Sequence, residues 1–304
     1  MKHMTLSIVI PNWNGIELLQ KHLDTVVRVS RGREIILSDD ASTDRSVDFV
    51  LNTYPSIVLV KNSIHKGFAS TVNAGVARAS GDIVFLLNTD VLPEKGCIDF
   101  LLPHFTDEKV FAVGCFEHSH ENGTIVFRGD GDAWWEKGFY LHKKGSTTKK
   151  NTAWVSGGSG AFRKRMWDHL GGMDTLFEPF YWEDIDLSYK ALKAGYILNF
   201  EKKSIVHHYH EKGKILSLFS QSFIRKIAFR NQLIFIWKNM SDKDIIRSHF
   251  FWLPIRFVQA VFRFDFSFMF GFFSALLMLQ RVLRRRSEVQ KSFILRDHDV
   301  VPSI

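Results

Sequence analysis

A chain of 304 residues, 45% hydrophobic and 24% charged, can bury one large core or two modest ones, which excludes a disordered chain. Two cysteines, Cys97 and Cys115, are too few for a secreted disulfide framework, and MKHMTLSIVIPNWN lacks the long apolar run and cleavage site of an export signal, so a reducing cytoplasm is expected. The net charge of +8 is concentrated: residues 1–201 hold 22 Lys and Arg against 25 Asp and Glu, a net of −3, and 202–304 hold 18 against 7, a net of +11.

Residues 5–11 (TLSIVIP) predict a buried strand, and Leu18, Leu19, Leu23, Val26 and Val27 predict a helix from Ile16 to Val29. Residues 34–40 predict a second strand, followed by a helix from Arg45 to Asn52 with Ser42 or Thr43 as its cap. A third strand is expected over 56–62, a helix over 67–80 and a fourth strand over 82–90. This alternation implies an α/β fold with a mostly parallel sheet covered on both faces. In such sheets ligands sit beyond the carboxyl ends of the strands. The polar residues gather there: Pro11, Asn12 and Asn14, then Asp39 and Asp40, then 62–67, then Asn88 and Asp90. Residues 115–153, with Trp134 and Trp135, predict a loop-rich insertion or β-ribbon that is mobile at KKGSTTKKN (143–151). A Gly/Ser turn and helix (SGGSGAFRKRMWDHL), a further helix (EDIDLSYKALKAGY) and a strand (YILNF) follow.

Asp90 ends a buried strand, where an ionised carboxylate is costly without a partner; a divalent cation bridging diphosphate oxygens is the natural one. On a strand, Asn88 and Asp90 face the same side. Asp39 and Asp40 suit hydrogen bonds to a base and a ribose, and equally an Asx turn that caps a helix. The turn at Gly67 and Phe68, with Asn73, suits backbone contact with a nucleotide, or is a simple tight turn. Glu183, Asp184 and Asp186 lie beside Tyr181 and Trp182, apolar neighbours that raise a carboxylate's pKa and poise it as a base. On a helix they cannot all point one way, so one enters the site and another caps the helix. His207, His208 and His210 form the densest histidine cluster, and one of them is expected to complete the metal site or touch a phosphate.

Together these segments resemble family 2 glycosyltransferases of the GT-A fold, particularly the bacterial rhamnosyltransferase-like branch. The resemblance rests on SIVIPNWNG, SDDASTD, N-x-x-x-KGF-x-x-x-x-N-x-G, GDIVFLLNTDV, GGSGAFRKRMWDHLGGMD, YWEDIDLSYKALKAGY and VHHYHEKGK, in the family's order over residues 5–215. It implies a catalytic domain over 1–215, with a nucleotide-binding half (1–105) and an acceptor half (106–215). It further implies that Asp39 contacts base and ribose, that Asp90 holds Mn²⁺ or Mg²⁺ on the diphosphate, and that the Glu183–Asp184 pair supplies the base, Asp184 standing at its usual position. Gly158 would border donor sugar and acceptor, with Trp182 a platform for a sugar ring. Asn88 replaces the family's frequent first acid, which puts more weight on His207 or His208 as a ligand. The implied reaction is inverting transfer from a dTDP- or UDP-sugar, rhamnose first, to a glycan or polyprenyl-linked acceptor in cell-surface polysaccharide synthesis.

From Phe250 to Arg286 the chain is aromatic and apolar with Arg at intervals. Its longest uncharged stretch, Phe266–Gln280, has 15 residues, short of the ~20 that span a bilayer. Arg256, Arg263 and RVLRRR predict that 216–304 forms amphipathic helices lying on a membrane surface; the competing reading packs them on the catalytic domain or in a dimer. An anionic membrane at the inner face of the cell, rather than nucleic acid, is the expected partner of this basic third. A sugar-phosphate nucleotidyltransferase would want a Gly-rich, Lys/Arg-bearing N-terminal signature that IPNWNGIELL lacks. A non-catalytic scaffold is opposed by the intact acids Asp39, Asp90 and Asp184.

Overall fold

The structure, a computed structural model, describes residues 4–121, 123–145, 151–209 and 218–301. Its first half alternates β1 (Leu6–Asn12), α1 (Ile16–Ser30), β2 (Glu34–Asp39), α2 (Ser46–Thr53), β3 (Val58–Lys61), α3 (Phe68–Arg78) and β4 (Ile83–Leu87). Strand side chains alternate between faces, and both faces here are apolar. Ile8 and Ile10 share a core with Leu19 and Leu23 of α1, whereas Val9 shares the opposite core with Val72 and Val76 of α3. These strands run parallel in the order β3-β2-β1-β4.

Beyond β4 come β5 (Val91–Pro93), α4 (Cys97–Leu101), β6 (Val110–Glu121), β7 (Thr124–Arg128), β8 (Gly131–Glu136), β9 (Phe139–Lys144), β10 (Ser159–Arg163), α5 (Lys164–His169), α6 (Glu183–Lys193) and β11 (Ile197–Tyr209). The sheet continues as β10-β6-β11-β5, with β10 antiparallel to both β4 and β6, β11 parallel to β6, and β5 antiparallel to β11. The sheet is thus mixed where a mostly parallel one was expected, because the second half supplies strands by hairpin and long return rather than by crossover helix.

Several expected boundaries move. The fourth strand stops at Leu87, and Asn88 to Asp90 form a turn, so strand alternation does not set their directions. The third shortens to Val58–Lys61. Residues 115–121 continue a 12-residue strand inside the sheet, β7 pairs back along it, and β8 with β9 makes a separate hairpin. The Gly/Ser segment yields β10 before its helix. His210 and residues 146–150 of the segment expected to be mobile lie outside the described residues. Cys97 and Cys115 are free, buried, and share the Ser204 hydroxyl at 2.9 and 3.3 Å.

Among the described residues that follow are the helices α7 (Gln221–Asn239), α8 (Lys243–Phe262), α9 (Phe266–Leu277), α10 (Leu279–Val289) and α11 (Asp297–Val300). No single described helix is long and apolar enough to cross a membrane; α9 and the segment Leu279–Ser292 pass by length and composition only as a pair bent by 67°. Leu233, Ile234, Phe235 and Ile236 of α7 share a core with Trp135 and Tyr140 of the β8–β9 hairpin and Tyr189 of α6. Within that packing the Lys238 ammonium is fully buried, 2.8 Å from Asp174 and 2.7 Å from Asp186. Burial alone would raise the Asp174 pKa, yet the ammoniums of Lys238 and Lys190 hold it down at about 2. Asp186 also accepts from Asn239 at 2.7 Å and faces Lys190 at 3.5 Å.

Removing one partner of a buried pair leaves an uncompensated charge. Lys238→Ala, which strips the cation from two buried carboxylates, is therefore expected to cost about 3–5 kcal/mol of unfolding free energy. Denaturant titration checks this; an unchanged midpoint and slope would refute the structural role given to the pair.

Candidate active site

Beyond the carboxyl ends of β1, β2 and β4 lies a cleft of about 390 Å³, walled on the far side by the loop that leads into α6 and by Phe219. A larger, more open depression of about 900 Å³ surrounds Asp82, Arg163 and Asp168 at the opposite strand ends. There the Arg163 guanidinium is spent on the carbonyls of Phe105, Asp107 and Val110, and no set of acids converges. Chemistry therefore belongs to the smaller cleft.

Its first wall is built by the turns after β1 and β2. Asn12 donates to Asp39 at 2.9 Å and to Ser42 at 3.2 Å, and the Ser42 amide and hydroxyl both donate to Asp39. Asp39 is consequently wholly buried behind Asn12 as an Asx-type anchor, and Asp40 is the member of the pair that lines the cleft. Asp40 accepts from the Lys66 and Gly67 amides at 2.9 and 2.8 Å, from Asn62 at 2.8 Å, and pairs with His65 at 2.8 Å. Burial pushes its pKa up, and these bonds outweigh burial and bring it down. Gly67 has φ +98°, and a Cβ there would sit 3.0 Å from the Glu178 side chain, so glycine is required by both backbone and space. Pro11 and Phe68 also line this wall. Asn14, at φ +49°, accepts from the Thr43 amide at 2.7 Å and supports the turn behind the wall. Asn73 holds the Met173 backbone through bonds of 2.8 and 3.0 Å, an anchoring position off the cleft. Sequence reasoning missed Trp13 and His65, which stack at 4.2 Å to form an aromatic face; the signal was an aromatic residue directly after a strand end.

The second wall carries Asp90. Its Oδ2 lies 3.3 Å from His208 Nε2, and His208 Nδ1 lies 3.2 Å from Glu117 of β6. Lys144 pairs with the other oxygen of Glu117 and Arg128 lies 3.9 Å from the oxygen that faces His208; the Glu117 pKa is held at about 2, since burial would raise it and His208 and Lys144 outweigh burial. For His208, burial lowers the pKa, and the bonds to Asp90 and Glu117 overcome it, lifting it to about 9. Asp90 Oδ1 and Asn88 Oδ1 are buried with no hydrogen-bond partner. The Asp90 carboxylate, the Asn88 amide oxygen and the His208 ring, once it has given up its proton, are a donor set that fits a divalent cation of the Mn²⁺ or Mg²⁺ kind. His207 points to the opposite face of β11, 2.8 Å from Glu94 and 3.0 Å from His120, so one ion at Asp90 takes His208 and not His207. Glu117, which orients His208, left no local signal, because its strand had been read as part of an insertion.

The third wall is the entry to α6. Tyr181 and Trp182 have φ of 71° and 81°, a left-handed pair held by Asn231 of α7, which donates to the Phe177, Phe180 and Tyr181 carbonyls at 2.7, 3.0 and 2.9 Å. This turn separates three acids. Asp184 faces the cleft and accepts from the Gly157 amide at 3.2 Å; Glu183 is buried at its edge; Asp186 turns away to Lys238. Burial, then repulsion from Asp184, lifts the Glu183 pKa to about 8, above the ordinary carboxylate range. Burial also raises Asp184, against the opposing pull of amide donors and His142. Trp182 does not offer a free face: its ring is packed against His142, Phe235 and Tyr140, and the exposed Tyr181 takes the place at the cleft. Gly158 lines the floor, and a Cβ there would come 2.5 Å from Asn88 Nδ2, so glycine lets the two strand ends close together.

Residues 7–171 match the family described as "Glycosyl transferase family 2". Among curated proteins, the "Pre-mycofactocin glycosyltransferase" of Mycobacterium tuberculosis is 27% identical over 218 residues, covering 68% of this chain and 43% of that protein. The "Probable glycosyltransferase YdaM" of Bacillus subtilis is also 27% identical, covering 64% and 48%. The chain thus spans under half the length of these two relatives. The "N-acetylglucosaminyl-diphospho-decaprenol L-rhamnosyltransferase" of Mycobacterium tuberculosis is 23% identical over 210 residues, covering 59% of this chain and 68% of that one. Two solved structures share the fold. GalNAc-T7 with UDP, GalNAc and Mn²⁺ has TM-score 0.63 at 18% identity, covering 80% of this chain and 49% of that one. The Pyrobaculum calidifontis mannosyltransferase with GDP-Man and Mn²⁺ has TM-score 0.56 at 16% identity, covering 95% and 86%. With its GT-A fold and a family match over more than half its length, the chain belongs to glycosyl transferase family 2.

Proposed function

We propose that this protein is an inverting, metal-dependent glycosyltransferase that moves a sugar from a dTDP- or UDP-linked donor, rhamnose being the first choice, onto a glycan or polyprenyl-linked acceptor at the inner face of the cell membrane. The observation that carries the reading is that one cleft is lined by the Asp184 carboxylate and by Asn88 and Asp90, each with a buried oxygen that has no hydrogen-bond partner, with His208 paired behind Asp90. The Trp13–His65 face offers a surface for a nucleobase, and the Asp40-braced loop presents backbone to the ribose or phosphates. Asp184 accepts the proton of the acceptor hydroxyl as that oxygen attacks the anomeric carbon. The bond from that carbon to the diphosphate oxygen breaks on the opposite face, so the configuration inverts and nucleoside diphosphate leaves. Protonated Glu183 adds no second negative charge beside the base. A divalent cation held by Asp90 and His208, with the Asn88 carbonyl facing the same space, would supply charge neutralisation to the leaving diphosphate. The rhamnosyltransferase among the relatives supports the sugar and the lipid-linked acceptor; the exposed Phe and Arg residues of α8 to α10 support the membrane surface.

Nucleoside diphosphate release from a panel of UDP-, dTDP- and GDP-sugars, with Mn²⁺ or with EDTA, tests the whole reading. Release from one donor that EDTA abolishes is expected, and Asp90→Ala should lose it as EDTA does. Silence across the panel together with absent donor binding would overturn the enzyme reading.

The two neighbouring acids separate by substitution. Asp184→Asn is expected to lose turnover by roughly 10²–10⁴-fold while still binding donor, whereas Glu183→Gln, which mimics the protonated acid, should stay within about tenfold of the parent. Since only ionised Asp184 can take the proton and burial raises its pKa, activity should fall with decreasing pH from a point above the ordinary carboxylate range, in the parent and in Glu183→Gln alike. Equal losses in the two variants would sink the assignment.

A further inference from the structure

A second cavity, of about 790 Å³, opens between the start of α7, the end of α8 and the start of α9. Four cations line it, Arg225, Lys226, Arg256 and Arg263, against the single carboxylate of Asp265. That carboxylate is already committed: it caps α9 through the Phe268 amide at 3.2 Å and pairs with Arg225 at 3.4 Å and Arg256 at 3.1 Å. Arg256 is held flat over Phe268 at 4.4 Å, which fixes its guanidinium at the base of the cavity. Lys226 and Arg263 have no acidic partner within ion-pair distance among the described residues. An excess of three positive charges gathered in one concavity is matched by a polyanion rather than by a sugar.

What surrounds the cavity says where that anion comes from. Phe264, Phe266 and Phe270 form its rim at 74%, 56% and 59% exposure, and Phe262 beside it is 79% exposed. Phenylalanines so placed around guanidinium groups match the depth profile of a bilayer, rings at acyl level and cations at phosphate level. A run of ring contacts also joins the wall of this cavity to the wall of the catalytic cleft. Phe223 on its wall stacks on Phe219 at 5.1 Å, and Phe219 lines the cleft and packs on Phe180 at 5.3 Å.

We propose that this cavity seats the phosphate or diphosphate of a lipid, the anionic link between an acyl or isoprenoid chain in the membrane and the sugar reaching into the catalytic cleft. The proposal rests on the glycosyl-transfer reading only for the identity of that lipid as the acceptor; the binding of a lipid phosphate stands on the cavity alone.

The test is flotation of the full chain with three kinds of phosphatidylcholine vesicle: plain, doped with phosphatidylglycerol, and doped with a polyprenyl phosphate. The unaltered protein should float best with polyprenyl phosphate, and Lys226→Ala/Arg263→Ala should lower that affinity roughly tenfold or more. Arg281→Ala/Arg284→Ala, which removes the same charge from α10 outside the cavity, should lower it far less. The charge-keeping pair Lys226→Arg/Arg263→Lys should restore binding, which separates loss of the site from loss of the fold. Equal losses in the cavity and α10 variants would overturn the proposal in favour of general surface attraction, and binding of inorganic pyrophosphate with no flotation on the polyprenyl phosphate vesicles would overturn it by assigning the cavity to free phosphate. Donor hydrolysis in detergent should be unchanged in the cavity variant. If the unaltered protein itself shows none, glycosyl transfer fails while the vesicle result still decides the site.

Discussion

The Lys238 ammonium, buried between Asp174 and Asp186, is the constraint from which the catalytic geometry follows. A charge in that position is tolerable only if both carboxylates are present, and each carboxylate is tolerable only if the ammonium is. The three therefore fix α7 against α6 more tightly than apolar packing, which permits sliding, would do. Residues two apart on a helix project about 200° apart. Once Asp186 is committed to Lys238, Asp184 must face the other way, and the other way is the cleft. The C-terminal helices are thus part of what aims Asp184, the proposed base, into the cleft.

The turn before α6 works in the same sense. Two consecutive non-glycine residues in left-handed conformation, Tyr181 and Trp182, each carry a strain of about 1–2 kcal/mol and persist only where surroundings over-determine them. Here three carbonyls end on one buried amide, Asn231, and Arg230 donates to the Glu178 carbonyl beside them. The tight reversal places Trp182 in the aromatic core, leaves Tyr181 at the cleft, and delivers two adjacent acids into unlike surroundings. Glu183 loses water, which favours its protonated form; Asp184 keeps amide donors that favour its charge. Two carboxyls with separated titrations are what a base and its silent neighbour need.

The first half of the fold was legible because its signals are local. Apolar strand runs, helical spacing and polar strand ends need only a few residues each, and they located β1 to β4 and the cleft beyond them. Asp90 was readable as an acid just past such an end, and Asp184 as one of three acids at the start of a helix. What escaped depends on partners far along the chain. Glu117 reaches His208 across 91 positions, and Asn231 reaches Tyr181 across 50. Neither spacing leaves a period or a motif. Asn73 and Trp182 failed for the opposite reason: each stands in a recognisable segment, but its side chain is taken up by Met173 or by the aromatic core. A motif fixes where a backbone goes, whereas the direction of a side chain is decided by the packing around it.

Helix α7 connects these themes. Asn231 and Arg230 clamp the catalytic loop, and Lys226, one turn earlier, lines the cationic cavity. Arg256 joins α8 to the same place by lying over Phe229 of α7 and Phe268 of α9. The cavity and the loop that leads to Asp184 are therefore both braced by one helix, through Lys226 at one point and Asn231 at another. The exposed phenylalanines of the rim form a surface that water solvates poorly, and such a surface on a folded domain marks contact with another phase or partner. If that surface is an attachment face, as proposed, whatever holds it also holds α7, and through Asn231 and Lys238 the direction in which Asp184 points.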